Sequence, residues 1–148
     1  PNFDIRRKAS SLNYIIIHYT AIKNYKETLS YLCEKKNKVS SHFFISKSGE
    51  IFYLVDIINR AWHAGRSYWK GIIDINSESI GIEMDNSGHY YNFENYTSKQ
   101  VNSLIILLNV GCEYIFSIFT PQFNTPLYSE PTLLALIIII LILLAGSG

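Results

Sequence analysis

The sequence has almost no net charge. Its 148 residues contain 13 lysines and arginines against 12 aspartates and glutamates, which gives a formal net charge of +1 at pH 7. Proteins that bind nucleic acid or anionic membranes usually carry a clear excess of basic residues. We therefore predict no nucleic-acid partner, and charge gives no reason to expect binding to an anionic membrane.

Cysteine is scarce as well. The chain has two cysteines, Cys33 and Cys112, which form no Cys-X-X-Cys pair. This excludes a disulfide framework, and we expect both thiols to be buried or half-buried. Apolar residues make up 48% of the chain and aromatic residues 14%, which predicts a folded domain with a hydrophobic core and not a disordered chain.

Residues 109–148 lack histidine, aspartate, lysine and arginine, and their only charged residues are Glu113 and Glu130. They include 13 consecutive apolar residues, Leu133 to Ala145, whereas a membrane-spanning helix needs about 20. Two interpretations stay open for this segment: a buried or aggregation-prone tail, or membrane contact that includes the flanking residues. We therefore divide the chain into a domain over 1–108 and a divergent apolar tail over 109–148.

Residues 1–108 alternate between strand and helix patterns. The β-branched and aromatic run at Tyr14–His18 predicts a buried strand. The segment "HFFISKSGEIFYLVD" predicts two strands around a Lys-Ser-Gly turn, and "SIGIEM" predicts a further strand. Helices are predicted for "YKETLSYLCEKK" and "TSKQVNSLIILL", with a loop-rich segment over 59–78. The fold class is therefore mixed α/β.

The two predicted helices differ in the clarity of their ends. In the second helix, Thr97 is an N-cap candidate with Gln100 three residues later, which is the pattern of a capping box. Helical spacing then predicts an apolar stripe of Val101, Leu104, Ile105 and Leu108. In the first helix the same spacing predicts one face formed by Tyr25, Thr28, Leu29 and Leu32.

Two histidines lie on predicted strands. His18 ends the first buried strand, where side chains leave the core and can meet a ligand. His42 opens the first strand of the predicted hairpin. A lone histidine is more often structural than a ligand, so a structural role stays open for both.

Aromatic residues are concentrated in the loop "AWHAGRSYW", Ala61 to Trp69. Trp62, Tyr68 and Trp69 stand beside glycine and serine, an arrangement typical of clefts that bind sugars or glycopeptides. The alternative is a loop closed by aromatic anchors, and composition alone does not decide between the two.

Glu83 is a carboxylate in the apolar strand "SIGIEM". Alternation places Ile80, Ile82 and Met84 on one face and Gly81 and Glu83 on the other, with Asp85 following on the second face. A buried carboxylate is costly unless it is paired, binds metal or faces a cleft, and desolvation would raise its pKa toward that of a general base. The alternative is a solvated face of the sheet.

Five blocks of the sequence, in this order and spacing, resemble the zinc-dependent N-acetylmuramoyl-L-alanine amidases, a superfamily that includes the peptidoglycan recognition proteins. The blocks are "PNFDIR" at 1–6, "YIIIHYT" at 14–20, "VSSHFFISKSGEIFYLVD" at 39–56, "AWHAGRSYW" at 61–69 and "SIGIEMDN" at 79–86. The resemblance covers residues 1 to about 108. It implies a central mixed β-sheet with flanking helices, and a bacterial enzyme that cuts the amide between N-acetylmuramic acid and L-alanine in peptidoglycan or muropeptides.

The resemblance also implies roles for individual residues. His18 matches a ligand of the catalytic zinc, and Glu83 matches the carboxylate that activates the zinc-bound water. The substrate-binding cleft wall is matched by Trp62, His63, Ala64 and Gly65, and Asn86 is a further cleft candidate. In some relatives a tyrosine precedes the hairpin histidine; here that position is Ser41, so Glu83 would be the only base.

The sequence departs from the family pattern after the second helix. The family's other two zinc ligands, a histidine and then an aspartate or cysteine, follow that helix. Residues 109–148 contain no histidine or aspartate, and Cys112 lies too close to the helix. We hypothesise that the reading frame changes near Asn109 or that the end was replaced. Reading the coding DNA in all three frames tests this, because a frameshift requires a His…Asp block in another frame.

Several functions are therefore compatible with the sequence. The first is a peptidoglycan amidase with an incomplete zinc site, and the second is a module that binds peptidoglycan or muropeptides without cutting them. A degenerate amidase fragment and a small membrane-tethered interaction protein are further alternatives. For the amidase we expect a monomer in the cytoplasm or periplasm of a bacterium.

Overall fold

The computed structural model describes residues 1–6, 12–91 and 93–110, together with the backbone of 111–119 and 139–141. The strands are β1 (Phe3–Ile5), β2 (Tyr14–Tyr19), β3 (Phe43–Ile45), β4 (Ile51–Tyr53), β5 (Asn59–Ala61), β6 (Ser79–Met84) and β7 (Ile139–Leu141). The α-helices are α1 (Tyr25–Cys33) and α2 (Ser98–Phe119), and short 3-10 turns span Lys35–Asn37, Ile75–Glu78 and His89–Tyr91.

A five-stranded mixed sheet is the centre of the fold, with strand order β4-β3-β6-β2-β7. Strand β6 is parallel to both β2 and β3, β7 is parallel to β2, and β4 pairs antiparallel with β3. Strands β1 and β5 form a separate antiparallel pair. The predicted mixed α/β class is confirmed, and so are the hairpin and the strand "SIGIEM".

One face of the sheet forms the main hydrophobic core. Its buried residues are Leu12, Ile15, Ile45, Ile80 and Ile82, and Leu104, Leu107 and Leu108 of α2 pack against them. Successive side chains of a strand point to opposite faces. Ile80 and Ile82 therefore face α2, and Gly81 and Glu83 face the other way, as the alternation predicts.

Helix α2 begins as its sequence indicates. The backbone N–H of Gln100 donates to Thr97 Oγ1 at 3.1 Å, and the N–H of Thr97 donates to Gln100 Oε1 at 3.1 Å. These two bonds are the reciprocal pair of a capping box, and the prediction is confirmed.

The predicted apolar stripe of α2 is only half correct. Leu104 and Leu108 pack on the core, but Val101 is 41% exposed and Ile105 is 49% exposed. Two polar side chains on the helix set its rotation: Gln100 donates to the carbonyl of Asp85 at 2.8 Å, and Ser103 donates to the carbonyl of Gly49 at 2.6 Å. These two hydrogen bonds, and not the apolar spacing alone, therefore decide which face of α2 is buried.

The opposite face of the sheet is covered by the segment between β5 and β6. Ile16 of β2 packs there with Ala64 and Ile75, and Tyr14, Trp69 and Ile72 lie around them. The same face of the sheet carries His18 and Glu83.

The face predicted for α1 is buried in part. Thr28 and Leu32 are buried, whereas Tyr25 is 37% exposed.

Two further expectations concern the cysteines and the tail. Cys33 is exposed at the end of α1, so the expectation of a buried thiol is wrong there, because Thr28 and Leu32 are the residues that α1 buries. The side chain of Cys112 and the predicted tail lie outside the described residues, apart from the backbone of α2 and of β7. No helix in the described part of the chain has the length and apolar character needed to span a membrane.

Candidate functional site

His18 and Glu83 lie side by side at the carboxyl ends of two paired strands. They are direct register partners between β2 and β6, and adjacent parallel strands are about 4.8 Å apart. Partners in register point to the same face, so the topology brings together the two residues that the resemblance names as metal ligand and base. Their role in catalysis stays a prediction.

Glu83 is a buried carboxyl that has no charged partner among the described residues. It is 8% exposed, and its Oε2 has no hydrogen-bond partner in the described structure. Burial raises the pKa of Glu83 from 4.5 to about 8. A carboxyl with such a pKa is mostly protonated at neutral pH, and the carboxylate form that can accept a proton from water accumulates as the pH approaches 8.

His18 is also buried, at 3% exposure. Its Nε2 lies 3.0 Å from Nδ1 of His63, and its own Nδ1 is buried with no partner among the described residues. Burial lowers the pKa of His18 to about 4. The imidazole is therefore neutral at neutral pH, which is the form that binds a metal or accepts a hydrogen bond.

The ring of His63 lies next to that of His18 and packs against Gly81 of β6. It is 2% exposed, and its Nε2 lies 3.0 Å from Ser79 Oγ. Ser79 Oγ in turn donates to the carbonyl of Ile75 at 2.6 Å. Burial, with smaller contributions from His18 and His42, holds the pKa of His63 well below its usual value.

His42 is part of the sheet's internal hydrogen bonding. Its Nδ1 accepts the backbone N–H of Gly81 at 2.9 Å, and its Nε2 lies 3.1 Å from the carbonyl of Asn59. Nη2 of Arg6 also lies 3.0 Å from Nε2, so both ring nitrogens contact groups of the surrounding fold. Burial lowers the pKa of His42 to about 4, and these contacts favour the structural role that the sequence left open.

The other predicted cleft residues are spread over the loop after β5. Trp62 is half-buried, and its indole N–H donates to Asp4 Oδ2 at 2.7 Å. The backbone of Ala64 is held by the side-chain amide of Asn76, which accepts from its N–H at 2.8 Å and donates to its carbonyl at 2.7 Å. Gly65 is exposed, so this loop is fixed at Ala64 and reaches the surface one residue later.

Asn86 follows β6 and organises the next loop. Its side chain donates to the carbonyl of Glu94 at 2.7 Å and accepts the N–H of Gly88 at 3.0 Å. The residue is 1% exposed. Both ends of its amide are therefore occupied by backbone groups of the loop.

A cavity of about 410 Å³ lies beyond the carboxyl ends of the strands. It is lined by Lys23, Asn24, Tyr25, Ser46, Lys47, Ser48, Glu50 and Asp85. Neither His18 nor Glu83 belongs to this lining. Its charges are mixed, so it does not select a ligand of one sign.

A catalytic zinc ion needs three protein ligands and one open position. The free Nδ1 of His18 fits one ligand, but the described residues contain no group of three His, Cys, Asp or Glu side chains that could hold a metal. The side chains outside the described part add only Cys112, Glu113 and Glu130 of these types. The described residues therefore do not fit a complete zinc site.

The chain is therefore a mixed α/β protein in which a buried histidine lies beside a buried carboxyl at the strand ends of the sheet. The sequence model of the N-acetylmuramoyl-L-alanine amidases matches residues 8–121. The chain belongs to this family.

Individual relatives agree with the family. The chain is 36% identical over 96 residues to the N-acetylmuramoyl-L-alanine amidase AmiD of Escherichia coli, covering 57% of this chain and 34% of AmiD. It is 31% identical over 127 residues to the 1,6-anhydro-N-acetylmuramyl-L-alanine amidase AmpD of Haemophilus influenzae, covering 74% of this chain and 67% of AmpD. The chain thus spans only about a third of AmiD's length.

Two solved structures share the fold. The first is E. coli AmiD in complex with anhydro-N-acetylmuramic acid-L-Ala-D-gamma-Glu-L-Lys, at a TM-score of 0.64 and 29% identity, covering 74% of this chain and 47% of that one. The second is AMPDH3 of Pseudomonas aeruginosa in complex with anhydromuramic pentapeptide, at a TM-score of 0.63 and 26% identity, covering 73% and 48%. The predicted amidase-like fold is confirmed.

Sequence reasoning missed the connection between His18, His63 and Ser79. Gly81 was the signal that could have found it, because a glycine inside a strand often marks a close approach by another group. A Cβ atom at Gly81 would lie 2.2 Å from Cγ of His63. The absence of a side chain there makes the space in which the His63 ring lies.

Proposed function

We propose that this chain carries the catalytic centre of an N-acetylmuramoyl-L-alanine amidase, which hydrolyses the amide between N-acetylmuramic acid and L-alanine in peptidoglycan or released muropeptides. Family membership supports the reaction class. AmiD and AMPDH3 have been solved with anhydromuramyl peptides bound, which supports a substrate of this type.

The observation that carries the proposal is the buried Glu83 carboxyl in register with His18. In the proposed reaction, Glu83 takes a proton from a water molecule, whose oxygen bonds to the carbonyl carbon of the amide. The carbon–nitrogen bond then breaks, and the proton passes from Glu83 to the amine nitrogen of L-alanine. Burial raises the pKa of Glu83 to about 8 in the metal-free chain, so any activity without added zinc should increase with pH toward that value as the carboxylate form accumulates.

The proposal also includes a dependence of the hydrolysis on zinc. His18 would supply one ligand through Nδ1, and zinc would contribute a polarised water and an electrophile for the carbonyl. Since the described residues do not complete the ligand set, the steps above are assigned to Glu83 alone.

The test is hydrolysis of a purified anhydromuramyl tripeptide by the full chain, with and without added zinc, followed by mass spectrometry of the released peptide. We expect a peptide that begins with L-alanine, and its loss in Glu83→Gln and His18→Ala. Glu27→Gln is the matched control, because Glu27 is an exposed glutamate of α1 outside the lining of the cavity. Cleavage that persists in Glu83→Gln would contradict the assignment of the base.

A second function, binding without cleavage, is favoured by one observation. The described residues contain no set of three metal-ligating side chains, so the chain could retain the substrate cleft without the metal. Calorimetric titration with the same tripeptide distinguishes the two functions. Saturable binding with no released peptide, at any zinc concentration, would identify a muropeptide-binding module.

A further inference from the structure

We propose that His63 is a positioning residue, which with Ser79 fixes the proton of His18 on Nε2 and so leaves Nδ1 of His18 as a preset lone-pair donor in the site. The three side chains form one buried chain of hydrogen bonds, with exposures of 3%, 2% and 0% for His18, His63 and Ser79. Its significance for catalysis rests on the proposed function, but the proton positions do not.

The direction of these hydrogen bonds is set by Ser79. A hydroxyl has a single proton, and Ser79 donates it to the carbonyl of Ile75 at 2.6 Å. Ser79 Oγ can therefore only accept from His63, whose Nε2 lies 3.0 Å away. The proton of the neutral His63 ring is thus on Nε2, and its Nδ1 is an acceptor.

The proton position of His63 determines that of His18. Nδ1 of His63 has no proton, so the 3.0 Å contact between the rings is a bond that Nε2 of His18 donates. The neutral His18 ring then has no proton on Nδ1. That nitrogen is buried without a partner among the described residues, and its lone pair is available to a ligand.

The opposite direction would leave two groups unsatisfied. Ser79 would have to turn its proton from the Ile75 carbonyl to His63, and His18 would carry a buried N–H on Nδ1 with no acceptor. Buried N–H groups without partners are rare, because the loss of their bonds to water is then not compensated. In the proposed direction, Nδ1 of His18 is the one atom of these three side chains without a partner among the described residues.

Strand β6 makes this arrangement possible. Ser79, Gly81 and Glu83 alternate onto one face: the serine ends the hydrogen-bond chain, the glycine makes room for the His63 ring, and the glutamate lies in register with His18. The imidazole rings of His18 and His63 are 5.2 Å apart between centroids, tilted by 59°. This geometry directs a ring nitrogen of one toward the other instead of stacking the two faces.

The decisive experiment is NMR of the full chain, uniformly labelled with 15N and free of metal. A scalar coupling across the N–H···N bond should connect Nε2 of His18 with Nδ1 of His63, with the proton bonded directly to His18. A missing coupling, or a proton bonded to Nδ1 of His63, would overturn the proposal.

Ser79→Ala tests the origin of the direction. Without the Ser79 acceptor, the proton should shift in part to Nδ1 of His63, and a second set of imidazole signals should appear. Ser103→Ala is the matched control, because Ser103 also donates to a backbone carbonyl, that of Gly49, but lies on α2. Unchanged imidazole signals in Ser79→Ala would contradict the role of Ser79.

A zinc titration separates this inference from the proposed function. If the unaltered chain binds zinc, His63→Leu should weaken the affinity about 10–100-fold, and His63→Asn, which keeps an acceptor near the position of Nδ1, should recover part of it. The positioning role would be overturned if both variants bound zinc with the affinity of the unaltered chain, or if His63→Asn bound it no more tightly than His63→Leu. If the unaltered chain binds no zinc, zinc dependence of the proposed function fails, and the NMR coupling alone decides the inference.

Discussion

Glu83 illustrates how burial changes the chemistry of a single residue. The same carboxyl on a solvated face of the sheet would be ionised at neutral pH, but burial makes it keep its proton up to about pH 8. A protein gains nothing in stability from a carboxyl of this kind. The cost is consistent with a functional role, since perturbed pKa values are concentrated at functional sites.

The cost of Glu83 should appear as a dependence of stability on pH. Between 4.5 and about 8, the folded state retains a proton on Glu83 that the unfolded state has lost, so this group destabilises the fold as pH rises. Relative to the unaltered chain, Glu83→Gln should therefore gain about 1.4 kcal/mol in free energy of unfolding per pH unit across this window. Urea unfolding of both metal-free proteins across the window measures the difference, in which other titrating groups cancel. A difference that stays constant with pH would show that Glu83 is ionised in the folded protein.

At the scale of the element, β6 combines a core face with a site face. Ile80 and Ile82 pack under α2, while the opposite face has small residues where the His63 ring lies. A single added methyl group therefore has very different consequences at different glycines of this region.

Gly81→Ala should be severely destabilising. The new Cβ would lie 2.2 Å from Cγ of His63, so the ring must move and its bonds to His18 and Ser79 must break. We expect a loss of about 3 kcal/mol or more, at the upper end of overpacking effects. Gly65→Ala is the control, because nothing lies within 4 Å of its added Cβ, and it should change stability by less than about 0.5 kcal/mol. Thermal or urea unfolding compares the two, and equal effects would contradict the predicted clash.

The start of α2 gives a second prediction at this scale. Thr97→Ala removes the hydroxyl that accepts the N–H of Gln100 and donates to the carbonyl of Lys47 at 2.8 Å. We expect a loss of about 1 kcal/mol, the usual value of an N-cap, measured by urea unfolding. Thr97→Ser keeps the hydroxyl and should retain most of the stability. If the serine variant loses as much as the alanine variant, the hydroxyl is not the stabilising group.

At the scale of the molecule, Arg6 connects the beginning of the chain with distant segments. Its guanidinium donates to the carbonyls of Ile57, Asn76, Ser77 and Ser79 at 2.6–3.0 Å. The carbonyls of Asn76, Ser77 and Ser79 belong to the 3-10 turn and the first residue of β6, so the first residues of the chain support the strand that carries the site without lying in the site.

Arg6→Ala should destabilise the whole domain. It removes several hydrogen bonds from a charged donor, which are worth about 1.5–3 kcal/mol each but do not add fully, so we expect a loss of roughly 3 kcal/mol. Arg66→Ala, at an exposed arginine, should cost less than about 0.5 kcal/mol. Hydrogen exchange should locate the Arg6 effect at β6 and the 3-10 turn before it. An effect confined to β1 would show that Arg6 holds only its own strand.

The local features of the fold were predictable because they depend on neighbours in sequence. The strand "SIGIEM" coincides with β6, and the capping box at Thr97 begins α2. The rotation of α2 was not predictable from its apolar spacing, because Gln100 and Ser103 bond to Asp85 and Gly49. Those partners are set by the folding of the rest of the chain.

The sequence by itself determined the mixed α/β class, the family resemblance and the alternation that directs Glu83 away from α2. Only the tertiary structure decided that His18 and Glu83 are register partners, and that His63 lies between His18 and Ser79. The physical reason is that periodicity and capping are properties of adjacent residues. Burial, and the hydrogen bonds between residues distant in sequence, fix the pKa of Glu83 and the proton of His18, and they exist only after the strands have paired.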